Sequence, residues 1–248
     1  MFGWFRPTCP VDSAAKNWIE SRLIWLSKQF GMDTFVRRAV VRPTNEFFEC
    51  SYSPTPKGAQ ALLQQVSRYM DVDPDRVSIN IFTDKNPLYF VNEQGLYLPK
   101  VAGLYEEGFQ TTIHLESSQL ENPMDLVGTM AHELAHLRLM GEGRVTGEGF
   151  DNELLTDLTV VFYGLGLFLA NSPRAWQSQF STWPGTNIKR PEYMTMAMFG
   201  YALAHAAWLR NERNPNWLKN LRPDARAETK QGIRFLFETS DSKLLIYR

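Results

Sequence analysis

His132-Glu133-Leu134-Ala135-His136 is the stretch on which the reading of this chain turns. Residues four apart lie on one face of an α-helix, so both imidazoles can reach one metal ion. Glu133 follows the first histidine directly, which sets its carboxylate beside a metal-bound water, where a general base is needed. The flanks predict a helix. Asn122 suits the cap, Pro123 the first turn and Gly141 the stop, while Leu126, Val127, Met130, Leu134 and Leu137 recur at helical spacing. The plain alternative is a surface helix that happens to carry two histidines. It is disfavoured because the chain has 4 histidines and two of them flank a glutamate in register here.

A catalytic zinc site ordinarily has three protein ligands and a water. The segment from Gly141 through Phe150 contains four glycines, Gly141 included, which predicts a tight loop. A second helix is then expected from Asp151-Asn152 to about Ala170, with Glu153 and Asp157 on one face. A short loop between helices favours antiparallel packing, which would bring the two faces together.

These two elements resemble the gluzincin metallopeptidases, of which the thermolysin-like enzymes are best known. The resemblance covers about residues 123–170, with Asn152-Glu153-Leu154-Leu155-Thr156-Asp157 as the second element. It implies that His132, His136 and Glu153 bind Zn2+, that Glu133 is the base, and that Asp157 accepts the free N–H of a ligand histidine. The spacing from His136 to Glu153 is a little shorter than in thermolysin-like enzymes, and their downstream histidine motif has no match. The metzincin extension is absent, since its glycine and third-ligand positions are Leu139 and Glu142. Glu142 and Glu148 stand as alternative third ligands.

The implied fold is α+β and zincin-like: a mainly antiparallel sheet before the metal helix and a helical lobe after it. Residues 1–116 would form an N-terminal α/β lobe and 117–248 the helical lobe carrying the metal site, as one two-lobed domain. Helices are expected at Asp12–Phe30, Ala59–Met70, Glu192–Arg213 and Ala225–Glu238, and extended pieces at Arg38–Arg42 and Phe47–Tyr52. Arg76–Phe82 reads as a strand, and Leu88–Val91, Leu96–Val101 and Thr111–Leu115 as a meander. Asp71 to Asp75 lacks the glycine and distal glutamate of a calcium loop and reads as a capped turn. By analogy with zinc peptidases, Gly103-Leu104-Tyr105 or Thr111–His114 would be the edge that pairs with extended substrate. His114 itself reads as an ordinary strand residue.

Three weaker readings concern the periphery. Tyr201 and His205, four apart, could stabilise an oxyanion, against the plainer picture of a helix whose polar tips meet solvent. Residues 174–190, with Trp176 and Trp183, could form a lid. Cys9 lies in Arg6-Pro7-Thr8-Cys9-Pro10-Val11-Asp12, which distantly resembles the inhibitory cysteine segment of some metallopeptidase precursors, so its thiolate could take zinc's fourth position.

Composition bounds the rest. With 44% hydrophobic residues and a net charge of −1, the chain can bury a core and lacks the basic surface that nucleic acid or an anionic membrane would attract. Only Cys9 and Cys50 occur, so no disulfide framework is implied and a cytoplasmic location is expected. The N-terminus lacks the features of a signal peptide, and the apolar run 158–170 is too short to span a bilayer. The expected activity is zinc-dependent hydrolysis of a peptide or protein substrate. A catalytically silent zincin-fold binding module and a hydrolase of non-peptide amides are the alternatives.

Overall fold

Asp12 opens the first helix by accepting the backbone N–H groups of Ala14 and Ala15, and α1 (Ser13–Phe30) runs until Gly31 turns the chain at φ +85°. A computed structural model of the chain describes residues 7–48, 52–83, 111–147, 149–172 and 182–247, and the statements that follow are of those residues. They fall into two compact units, one formed by residues 1–43 with 148–248 and the other by 44–147. The helix of the histidine motif groups with the residues that precede it from 44 onward.

The first unit is helical: α1, α2 (Met32–Arg37), α5 (Asn152–Phe162), α6 (Gly166–Asn171), α7 (Met196–Leu209) and α8 (Pro223–Thr239). Helix α7 is buried all round from Met198 to Leu209, the pattern of a central helix. Its closest partner is α8. A Cβ placed on Gly200 would come within 2.6 Å of Glu228 Cβ, and one on Gly232 within 2.8 Å of Ala204 Cβ, so both glycines permit the approach. Trp18, Ile19, Leu23 and Leu26 make the buried stripe of α1, and Phe35 of α2 stacks on Phe162 with centroids 5.2 Å apart.

The expected helix from 151 to 170 is two helices. Gly164 takes φ +88° and breaks the run, and its carbonyl accepts Val41 N–H at 2.9 Å. That bond also explains the Val-rich piece 38–42. It is extended and buries Val40 and Val41, but Val41 N–H goes to this turn and the piece is not part of a strand.

The second unit contains α3 (Pro56–Tyr69), β1 (Val77–Phe82), β2 (Thr111–Glu116) and α4 (Pro123–His136). Thr55 caps α3 by accepting Gly58 N–H, and Asp73 caps the short turn before β1 by accepting Asp75 N–H, the capped turn expected at 71–75. Strand β2 buries Thr111, Ile113 and Leu115 on one face. Of the piece expected to be extended at Phe47–Tyr52, Phe47 and Phe48 close a turn by donating their N–H groups to Thr44 O, and 49–51 lie outside the described residues.

The expected mainly antiparallel sheet is corrected here. The described residues are 61% helix and 7% strand, and β1 and β2 pair in parallel, with Val77 opposite Thr111 and Phe82 opposite Glu116. The two strands are joined through 83–110, a connection long enough for the crossover that parallel pairing demands. Leu88–Val91, Leu96–Val101 and the suggested edge at 103–105 lie outside the described residues. No described helix is long and apolar enough to cross a membrane.

Candidate metal centre

The histidine motif occupies the last turn and a half of α4. Asn122 caps the helix through Asp125 N–H, Pro123 takes its first turn, and every residue from Leu126 to His136 is buried. The periodic apolar positions Leu126, Met130 and Leu134 are fully enclosed, which fixes the rotation of the helix and hence the direction of the remaining face. On that face His132 Nε2 and His136 Nε2 lie 3.1 Å apart, with the rings edge to face at 83°. Glu133 beside them is 6% exposed, enough for contact with one side of a small molecule and little more.

The α-helix does not continue to Gly141. From Leu137 to Gly141 the chain widens into a π turn, with Glu142 N–H reaching back five residues to Leu137 O at 3.0 Å. Glu142, one of the alternative ligands, has each carboxylate oxygen held by an arginine at 2.6 Å, Arg138 on Oε1 and Arg144 on Oε2. Such charge-assisted pairing gives it an electrostatic partner on both sides without a metal. Glu148, the other alternative, lies outside the described residues.

Glu153 sits in the first turn of α5, near the positive end of the helix dipole. Ligand-capable atoms of His132, His136 and Glu153 all lie within 4.8 Å of one another, and they form a group able to hold a metal ion. Among the described residues the group includes no thiol. Asp157, one turn along α5, is 2% exposed and accepts Met194 N–H at 2.9 Å through Oδ2. That bond anchors the chain entering α7, an employment that the resemblance did not imply. A carboxylate has capacity for further donors.

Asp151 is the residue that sequence reasoning did not identify. Its carboxylate, 3% exposed, accepts Trp18 Nε1–H at 2.6 Å and both Nε–H and Nη2–H of Arg22 at 2.7 and 2.9 Å. Beyond that hydrogen bond, the Trp18 ring packs against Trp183 with centroids 5.8 Å apart. Trp183 is itself 3% exposed and belongs to this core, and residues 173–181 of the suggested lid, Trp176 among them, lie outside the described residues.

The peripheral readings are placed as follows. Tyr201 and His205 are both fully enclosed in the helical unit, neither meeting solvent. Tyr201 donates its hydroxyl to Glu20 Oε1 at 2.8 Å, and His205 bonds the Tyr201 carbonyl through Nδ1 and Ser242 Oγ through Nε2, each at 3.0 Å. Burial pushes the His205 pKa down to about 4, against smaller upward pulls from the Tyr201 carbonyl and Glu20. Burial, with Glu20 beside it, likewise raises that of Tyr201. Both polar ends are therefore committed to a core network, which leaves the oxyanion reading without support. Cys9 is half-buried, with its thiol pushed up chiefly by burial, which disfavours the thiolate that zinc would need. His114 stands opposite Asn80 in the parallel pair, with Nδ1 3.3 Å from the Asn80 amide nitrogen, as a strand residue would.

Compared with protein-family profiles, with curated proteins and with solved structures, the chain finds no match in any of the three.

Proposed function

We propose that this protein is a zinc-dependent peptidase. The observation that carries the proposal is the meeting of His132 and His136, on a helix that also bears Glu133, with Glu153 from the second motif. The donor set fits. Two imidazole nitrogens and one carboxylate oxygen are a common catalytic zinc set, and tetrahedral ligands at the usual Zn–N distance are about 3.3 Å apart. The Nε2 atoms of His132 and His136, at 3.1 Å, stand close to that separation.

His132, His136 and Glu153 would hold the ion. Bound there, zinc would supply Lewis acidity to the scissile carbonyl and acidify the attacking water. The residues of the chain do the rest. Glu133 accepts the proton of the water as it attacks, then delivers that proton to the departing amine nitrogen, so that one group serves as base and acid in turn. Its position directly after His132 supports this role, because the carboxylate leaves the helix next to the first ligand. Burial of both histidines and of Glu133 keeps bulk water from competing for the proton.

The test is the metal content of protein purified without added metal, followed by digestion of a peptide library. Stoichiometric zinc and cleavage that disappears with a chelator are the expected results. Zinc without turnover of any peptide or amide would make the chain a binding module. Turnover of small amides alone would replace the peptide substrate and keep the chemistry.

A further inference from the structure

Asp151 stands at the N-cap position of α5 and yet caps nothing, for its side chain accepts no N–H of the helix. An aspartate there ordinarily closes the first turn of its own helix. Here the carboxylate is turned away, into a buried fork formed by α1: Arg22 grips both oxygens, and Trp18 adds a third donor to Oδ2. The Arg22 guanidinium carbon also lies 5.8 Å from the centre of the Trp25 ring, within reach of a cation–π contact. A bidentate arginine–carboxylate pair fixes direction as well as distance, because both partners are planar. Glu153 follows two residues later in the same helical turn. Gly149 also meets that turn, its carbonyl accepting Asn152 N–H at 3.4 Å, so the Asp151 pairing acts on a turn whose backbone entry is made by a glycine.

We propose that Arg22 and Trp18 are positioning residues for Glu153: through Asp151 they hold the first turn of α5 in the setting that presents the carboxylate ligand. This rests on the metal-centre reading above. Neither residue touches the ion or the substrate. A tie serving stability alone would join α1 to α5 just as well, so the difference must be read in metal affinity and in its dependence on Glu153.

The experiment is a double-mutant cycle on the full chain, with zinc affinity measured by competition against a chromogenic chelator and melting recorded on the metal-free protein. Arg22→Ala should weaken zinc binding by about three- to tenfold, less than removal of a ligand's own hydrogen-bond partner costs, because Arg22 acts one residue further out. Trp18→Phe, which deletes one of three donors, should weaken it less. In a Glu153→Ala background, Arg22→Ala should change zinc affinity by less than about twofold, because its route to the metal has gone. Arg22→Lys keeps the charge and loses the fork, and it serves in the same cycle should Arg22→Ala fail to fold. A lower melting temperature with unchanged zinc affinity would overturn the proposal. So would an equal loss of affinity in both backgrounds. Were the parent and Glu153→Ala to bind zinc alike, the assignment of Glu153 as a ligand would itself fall, a result distinct from either.

Discussion

His132 Nε2 and His136 Nε2 face each other at 3.1 Å inside a buried turn of α4. At that distance two nitrogens can share one proton, or both can give their lone pairs to one cation; two N–H groups cannot point at each other. The first prediction follows. His132→Ala, His136→Ala and Glu153→Ala should each lose most of the metal, and Asp157→Ala should lose about ten- to a hundredfold in affinity. Equilibrium dialysis against zinc reads all four. Wild-type affinity in Glu153→Ala would remove it from the ligand set.

Glu133→Gln separates holding the metal from using it. The amide keeps the size of the side chain but cannot accept the proton. Zinc content and melting temperature should match the parent, while turnover falls by several orders of magnitude. Peptide cleavage at the parental rate would refute the role given to Glu133.

His205 predicts a pH dependence of stability. Its native pKa is depressed to about 4, below the ordinary 6.5, so between those values the unfolded chain binds a proton that the folded chain does not. Stability from this group is complete above pH 6.5 and declines as pH falls toward 4, by roughly 3 kcal/mol in all. Denaturant titrations of the parent and His205→Gln over that range provide the check. The variant should have the shallower slope, and equal slopes would assign the acid sensitivity to other groups.

Gly164 and Gly185 both sit at positive φ, +88° and +72°, but only the first is crowded. A Cβ on Gly164 would lie 2.6 Å from the Ala39 carbonyl oxygen, whereas Gly185 has open space. Gly185→Ala should therefore cost the strain alone, roughly 1 kcal/mol, and Gly164→Ala distinctly more, on the order of 2–4 kcal/mol. Urea midpoints of the two variants decide it; equal midpoints would contradict the packing described at Ala39.

What could be read from the sequence was local. The cap Asn122 and the apolar spacing of α1, α3 and α4 are written within a few residues of one another, and those helices form, α4 ending at His136 instead of Gly141. Alternation at Thr111, Ile113 and Leu115 announced a strand, but nothing within it states which way its partner runs. Val40 and Val41 have the residue types of a strand, yet their backbone meets the Gly164 turn, a partner over a hundred positions away. The same distance hid Glu20 from Tyr201 and Asp151 from Arg22. The metal group was legible because two short motifs carry it; its supports come from α1, which no local pattern links to it.

The division of the chain also has a consequence in time. Residues 44–147 are contiguous, but the helical unit needs residues 1–43 together with 148–248. At a synthesis rate of about 5–20 residues per second, α1 waits several seconds, at the slow end tens, before α5, α7 and α8 exist. Through that interval the stripe of Trp18, Ile19, Leu23 and Leu26 leaves the ribosome without the helices that will bury it. Burial of the α1 stripe is therefore a late, long-range event, whereas the contiguous unit can close as soon as residue 147 has emerged.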